Sequence, residues 1–144
     1  MRILGIDYGD ARVGISITDE LMITVQGVET IHHNGNDKIV LKRLDEILNK
    51  YGEISTFVIG MPFNMNGTSS DRVNVTNKFI HKLKCKYNNI KIETIDERLT
   101  TVAAHRTMNE LDINKKNKKN IVDTISAEYI LETYINKMKG AYNG

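Results

Sequence analysis

Apolar side chains recur along this chain with two different periods, and the switch between them divides it. Residues 3–7, Ile-Leu-Gly-Ile-Asp, form a short apolar run that stops on a carboxylate, the pattern of a strand buried on both faces. Val13, Ile15 and Ile17 then alternate with Arg12, Gly14, Ser16 and Thr18, a period of two. Tyr8-Gly9-Asp10-Ala11 between them reads as a hairpin connection. Asp19-Glu20 predicts a second turn, and residues 22–31 a third strand. The chain therefore opens as an antiparallel meander.

After this the period lengthens. Ile39, Val40, Leu44, Ile47 and Leu48 recur at helical spacing, and Tyr51-Gly52 ends that run. Residues 56–60 form a short apolar strand closed by Met61-Pro62, and the Asn-Gly pair at 66–67 marks a loop. Ser69, Ser70 or Asp71 can cap the next helix, whose stripe is Val73, Thr76, Phe79 or Ile80, and Leu83. Residues 90–95 read as a strand and 101–110 as a helix. Residues 112–120 read as a polar, basic and mobile loop, and 121–138 as a last helix. The order βββαβαβαα predicts an α/β fold: a mixed five-stranded sheet, three antiparallel strands plus two parallel ones, with helices on both faces. No internal repeat and no Pro/Gly linker interrupts it, so residues 1–144 read as one domain.

Composition narrows the class. With 40% hydrophobic and 26% charged residues the chain has an ordinary globular balance. No window approaches the roughly 18 apolar residues of a membrane helix, and residues 1–7 lack the apolar centre of a signal peptide. A cytoplasmic protein without a membrane partner is expected. Cys85 is the single cysteine, which excludes an intrachain disulfide and a multi-cysteine zinc site. The net charge is only +2, but residues 72–120 hold 12 Lys or Arg against 5 Asp or Glu. That asymmetry fits a basic face for a polyanion, and equally a solvated lysine surface.

Three acids change the picture more. Asp7 ends the first strand, Glu97 follows the strand at 90–95, and Asp123 opens the last predicted helix. In the predicted sheet the first, fourth and fifth strands are parallel, so Asp7 and Glu97 leave it on one edge, where ligand sites of α/β folds gather. Asp123 shares a helical stripe with Ala127, Ile130 and Tyr134. Capping is the plain reading: with Asn120 as N-cap, Asp123 sits in the first turn, where an acid is favoured by about 0.3–1 kcal/mol. Capping does not explain an acid on the apolar stripe. Three converging carboxylates repel one another unless one is protonated or a cation lies among them. A hard divalent ion such as Mg2+ or Mn2+ meets that need, and two such ions about 3.5–4 Å apart serve phosphodiester hydrolysis.

The stretches that hold these acids resemble four motifs of one family, in order. They are GIDYGDARVG at 5–14 with Ser16 and Asp19, GMPFNMNG at 60–67, DERLTT at 96–101 with Ala104, and DTISA at 123–127 with Ile130-Leu131. The family is the pre-16S rRNA nucleases, also called Holliday-junction-resolvase-like or YqgF proteins, with a ribonuclease-H-like fold. The resemblance spans nearly the whole chain. It implies that Asp7, Glu97 and Asp123 are the catalytic acids and hold a divalent metal. It implies a structured nucleic acid substrate: RNA whose 16S 5′ end is matured, with ribosomal precursor particles as partners, or branched DNA cut by a monomer or homodimer. The alternative from another class is a ribosome- or transcription-associated binding protein that has lost turnover.

Further residues are candidates for contact with the nucleic acid. Arg12 can hold a phosphate near Asp7, or pair with Asp10 or Asp19. Arg98 can orient a carboxylate, hold a phosphate or form a structural ion pair. Asn64, Asn66 and Thr68 can line a cleft. Lys115, Lys116, Lys118 and Lys119 can clamp a backbone non-specifically. Gly9 serves either close backbone approach or a positive φ. His32 and His33, being adjacent, face opposite ways and do not make a metal pair. Tyr8 packs beside the hairpin or stacks on a base.

Overall fold

The two-residue period of the first segment becomes two strands buried on both faces, β1 (Arg2–Tyr8) and β2 (Arg12–Thr18). A computed structural model describes residues 1–64, 66, 71–99 and 115–143, the last stretch without the side chains of 115–123 and 141–143. The remaining elements are β3 (Val25–His32), α1 (Asp37–Tyr51), β4 (Ile54–Met61), α2 (Asp71–Lys86), β5 (Lys91–Asp96), a 3-10 turn at Glu97–Leu99, and α3 (Lys115–Asn143). The sheet order is β3-β2-β1-β4-β5. β1 pairs antiparallel with β2 and β2 with β3, whereas β1/β4 and β4/β5 are parallel. This is the predicted mixed sheet.

Strand alternation sorts the core into two layers. Leu4, Ile6 and Tyr8 of β1 join Phe57 and Ile59 of β4 beneath α1 and α2. Ile3, Val58 and Ile95 point the other way, onto Ile130 and Leu131 of α3. α1 is capped as its sequence suggests: Asn36 Oδ1 accepts from the Lys38 amide, and Gly52, at φ +87°, donates its N–H to Leu48 O. α2 buries Val73, Thr76, Phe79, Ile80 and Leu83, the predicted stripe. Asp71 lies in its first turn, while Ser69 and Ser70 lie outside the described residues.

Two expectations are corrected. β3 begins at Val25, not at 22, because the Asp19 carboxylate takes the amides of Ile23 (2.7 Å) and Thr24 (3.3 Å) and bends the chain through a turn in which Met22 has φ +58°. An amide held by a carboxylate is withheld from the sheet ladder. The last helix starts at Lys115, so the basic loop expected over 112–120 is helical from 115 onward. Lysine is a good helix former, and neither Pro nor Gly occurs between 115 and 139 to stop the helix. Asn120 is therefore not an N-cap and Asp123 lies two turns inside the helix, which removes the capping reading. The helix expected over 101–110 lies outside the described residues.

Candidate active site

Asp7 is only 3% exposed, near the C-terminal end of β1. Its side chain shares the α3 face with Ile3 and Gly5 by alternation, and its backbone is level with Gly14 of β2. A carboxylate at such a depth is costly to desolvate without polar or charged partners. On the neighbouring parallel strand Ile6 pairs with Ile59, so Gly60 is the next residue along β4, about 4.8 Å from Asp7 in the pairing direction.

Glu97 comes to the same place from the other side. β5 pairs Ile95 with Gly60 and Asp96 with Met61. The 3-10 turn then folds the Glu97 side chain back across Gly60. A Cβ at Gly60 would meet Glu97 Oε1 at 2.8 Å, Glu97 Cγ at 3.0 Å and Ile130 Cδ1 of α3 at 2.6 Å. The space that Gly60 leaves empty is thus filled by the Glu97 carboxyl group. Asp7 and Glu97 flank one glycine, on one face and one edge of the sheet.

The third acid comes from α3, which crosses that face directly on strand backbone. Ser16 Oγ donates to Ala127 O at 2.8 Å, and Leu131 Cγ lies over Gly5. Further along, Tyr134 comes near Lys91 and Glu93, at the start of β5. The helix therefore crosses the strands from β3 to β5: Thr124 and Glu128 lie over Gly27 of β3, Leu131 over Gly5 of β1 and Ile130 over Gly60 of β4. Asp123 is one helical turn before Ala127 on this course; its side chain lies outside the described set. Among the described residues no group of three or more His, Cys, Asp or Glu gathers as a metal centre. The two acids described are nevertheless suited to a hard divalent ion, being oxygen donors on a shared surface, one of them buried.

The other candidates separate. Arg12 opens β2 at the Asp7 edge and is half-buried, whereas Asp19 follows the far end of the same strand, roughly 20 Å away at strand rise, so those two do not pair. Arg98 forms an ion pair: its Nε lies 3.0 and 2.9 Å from the two Asp96 carboxylate oxygens, and its guanidinium stacks 5.7 Å from the Phe63 ring centroid. The hydrogen bonds from Arg98 hold Asp96 below the usual carboxylate range. Asn64 and Asn66 are exposed after β4, and Thr68 lies outside the described residues. Lys115, Lys116, Lys118 and Lys119 occupy the first turns of α3.

Tyr8 packs, stacking on Phe79 (4.3 Å) and His33 (5.4 Å), and its hydroxyl donates to Asp37. Burial, then the bond to Asp37, pushes the phenol well above its ordinary range. Gly9 meets the need for close approach: a Cβ there would lie 2.7 Å from Arg12 O. Two contributors escaped sequence reasoning. Gly60 stood in a motif without a role, and the only signal was a glycine near the end of an apolar strand. His33 was set aside as a metal ligand, and its position before Asn34-Gly35-Asn36 marked it only as turn-proximal.

Known proteins share both the fold and the sequence of this chain. The fold matches that of Thermus thermophilus RuvC in complex with a Holliday junction substrate, with a TM-score of 0.58 at 13% identity over 92% of each chain. It also matches the fowlpox virus Holliday junction resolvase, with a TM-score of 0.54 at 16% identity over 96% of this chain and 99% of that one. The architecture is that of the ribonuclease-H-like resolvases. At the sequence level the chain is 50% identical over 142 residues to a Ruminiclostridium cellulolyticum protein, covering 97% of both, and 47% identical over 135 residues to one from Acetivibrio thermocellus, covering 94% of this chain and 95% of that one. Each of these relatives bears the name "Putative pre-16S rRNA nuclease". The model of the RuvX family, described as Holliday junction resolvase, matches residues 1–137. The chain belongs to the RuvX Holliday junction resolvase family and is a nuclease.

Proposed function

We propose that residues 1–144 act as a single-domain, metal-dependent endonuclease on structured RNA, maturing the 5′ end of pre-16S rRNA in the cytoplasm, free or in ribosomal precursor particles. The observation that carries this reading is the pair Asp7 and Glu97 on either side of Gly60, where the parallel strands of the mixed sheet end. Asp7, Glu97 and Asp123 are the catalytic acids and the residues that hold the ion. When bound, Mg2+ or Mn2+ offsets carboxylate charge and supplies Lewis acidity toward a phosphate oxygen.

The chain's own work is positional. β1, the turn after β5 and α3 deliver the three acids from elements that cannot move independently, since α3 rests on the backbone of β1 and on Ile130's contact with Gly60. Arg12, at the start of β2, holds a substrate phosphate. Arg98 braces the Asp96 turn and offers its remaining guanidinium edge to the backbone, and Asn64 borders the cleft. The lysines at 115–119 raise affinity through counterion release without reading sequence. The relatives' shared name favours the RNA. The family description favours a second reading, branched DNA cut by a homodimer, since a junction needs two opposed sites.

The test is cleavage of a precursor 16S rRNA and of a labelled four-way junction, with Mn2+ and with chelator, by the parent protein and by Asp7→Asn. The expected result is a defined 5′ end from the parent and a loss of about a hundredfold or more in Asp7→Asn. Equal cleavage by the two proteins defeats the assignment of Asp7. Cleavage of the junction alone selects the second reading, and tight binding without turnover selects a binding protein.

A further inference from the structure

The turn that joins β1 to β2 carries Asp7 just before it and Arg12 just after it, and something outside the hairpin holds it. His33, the first residue after β3, is 1% exposed. Its Nε2 lies 2.9 Å from Gly9 O, and the Gly35 amide lies 3.0 Å from its Nδ1. An amide N–H can only donate, so Nδ1 accepts, and a neutral ring then carries its proton on Nε2 and donates it to Gly9 O. The backbone of the same segment adds two bonds: the amides of His33 (2.9 Å) and Asn34 (3.2 Å) both donate to Ala11 O. Within the turn Gly9 N–H donates to Arg12 O at 2.9 Å. The two carbonyls of the turn that face β3 are thus both taken by one short segment, and the side-chain bond depends on one residue.

His33 also fills space beside Tyr8. Stacking on Tyr8 needs only a flat ring, however. It does not need an acceptor aimed at Gly35 and a donor aimed at Gly9. We infer that His33 is a positioning residue of the candidate active site: by clamping Gly9 O it fixes the β1–β2 turn, and with it the placement of Asp7 and Arg12. This rests on the nuclease reading for its effect on rate, but the clamp itself can be tested without it.

Two substitutions divide the ring's functions. His33→Gln places an amide nitrogen near the Nε2 position and keeps the bond to Gly9 O. His33→Asn places an acceptor near Nδ1, keeps the bond from Gly35 and is too short to reach Gly9. Both lose the stack on Tyr8. Expected for His33→Gln is a kcat within about threefold of the parent, and for His33→Asn a kcat about tenfold or more lower with KM little changed, because small displacements of reacting groups are costly. Exchange of the Gly9 amide with solvent should be about tenfold faster in His33→Asn and unchanged in His33→Gln. Gly9 exchange that is the same in both variants as in the parent overturns the clamp, as does an equal fall in kcat for both. Should His33→Asn not fold, nitrogen NMR of the parent decides instead. A ring proton on Nε2 protected from exchange is expected, and a proton on Nδ1 overturns the inference. If the parent and Asp7→Asn cleave equally, the nuclease site is lost, yet Gly9 exchange still judges the clamp.

Discussion

A missing side chain organises the candidate site as much as the acids do. Gly60 leaves room over β4 that the Glu97 carboxyl group and Ile130 Cδ1 both enter. A methyl group at this position collides with both. Gly60→Ala is expected to lower activity by about tenfold or more through Glu97, and stability by about 1–3 kcal/mol through overpacking. Adding Ile130→Val removes the δ-methyl, so the double variant should regain melting temperature but not turnover. Recovery of both together shows that Glu97 is indifferent to the space. Single-residue chemistry was unevenly legible here. Asp7 stood out because a carboxylate ends an apolar run. Arg98 did not declare its partner, since Asp96 and Phe63 are brought to it only by the turn after β5.

Among secondary-structure elements, α1 is tied to its neighbours by two matching sets of bonds. Tyr8 of β1 and Lys82 of α2 meet on Asp37, and Tyr87 and Lys86 meet on Asp45. Burial first, then the bond to a carboxylate, raises both phenols. Asp45 is lowered by Lys86 and then Tyr87, and Asp37 is lowered because its bonds to Lys82 and Tyr8 outweigh the effect of burial. A phenol raised on folding adds stability that is present below its ordinary value, about pH 10, and fades as pH rises above it. A carboxylate lowered on folding adds stability that is present above about pH 4 and fades as pH falls through its lowered value. Chemical denaturation across pH should therefore give a plateau with two falling limbs. Tyr8→Phe with Tyr87→Phe should flatten the alkaline limb and leave the acid limb sloping; an unchanged alkaline limb refutes the assignment. The stripes of α1 and α2 were readable because each buries one face against the sheet. The start of α3 was not, since a run of Lys and Asn is helical or extended according to what it adjoins.

Across the molecule, charge is divided along the chain, with 12 Lys or Arg against 5 Asp or Glu in residues 72–120. Helical Lys115, Lys116, Lys118 and Lys119 precede Asp123 on the helix that crosses the acid-bearing face. Replacing all four with Ala is expected to weaken RNA binding and to reduce the slope of log affinity against log salt by about one for each phosphate no longer neutralised. Turnover at saturating RNA should be preserved. An unaltered salt slope removes these lysines from the interface, and a fall in kcat alone moves them into the catalytic machinery.

Local pattern sufficed for the five strands, for α1 and α2, for their order and for the parallel placement of the first, fourth and fifth strands, because period and connection length constrain each of these over short spans of chain. It also picked out Asp7 near the end of β1 and Glu97 just after β5, whereas Asp123, read as opening a helix, lies two turns inside α3. That Asp7 and Glu97 share a face, that a glycine separates them and that His33 grips the turn beside them depended on strand register and on the seating of α3. Those are contacts between segments tens of residues apart, whose cost and gain are settled only when the layers pack, and no window along the chain contains both partners.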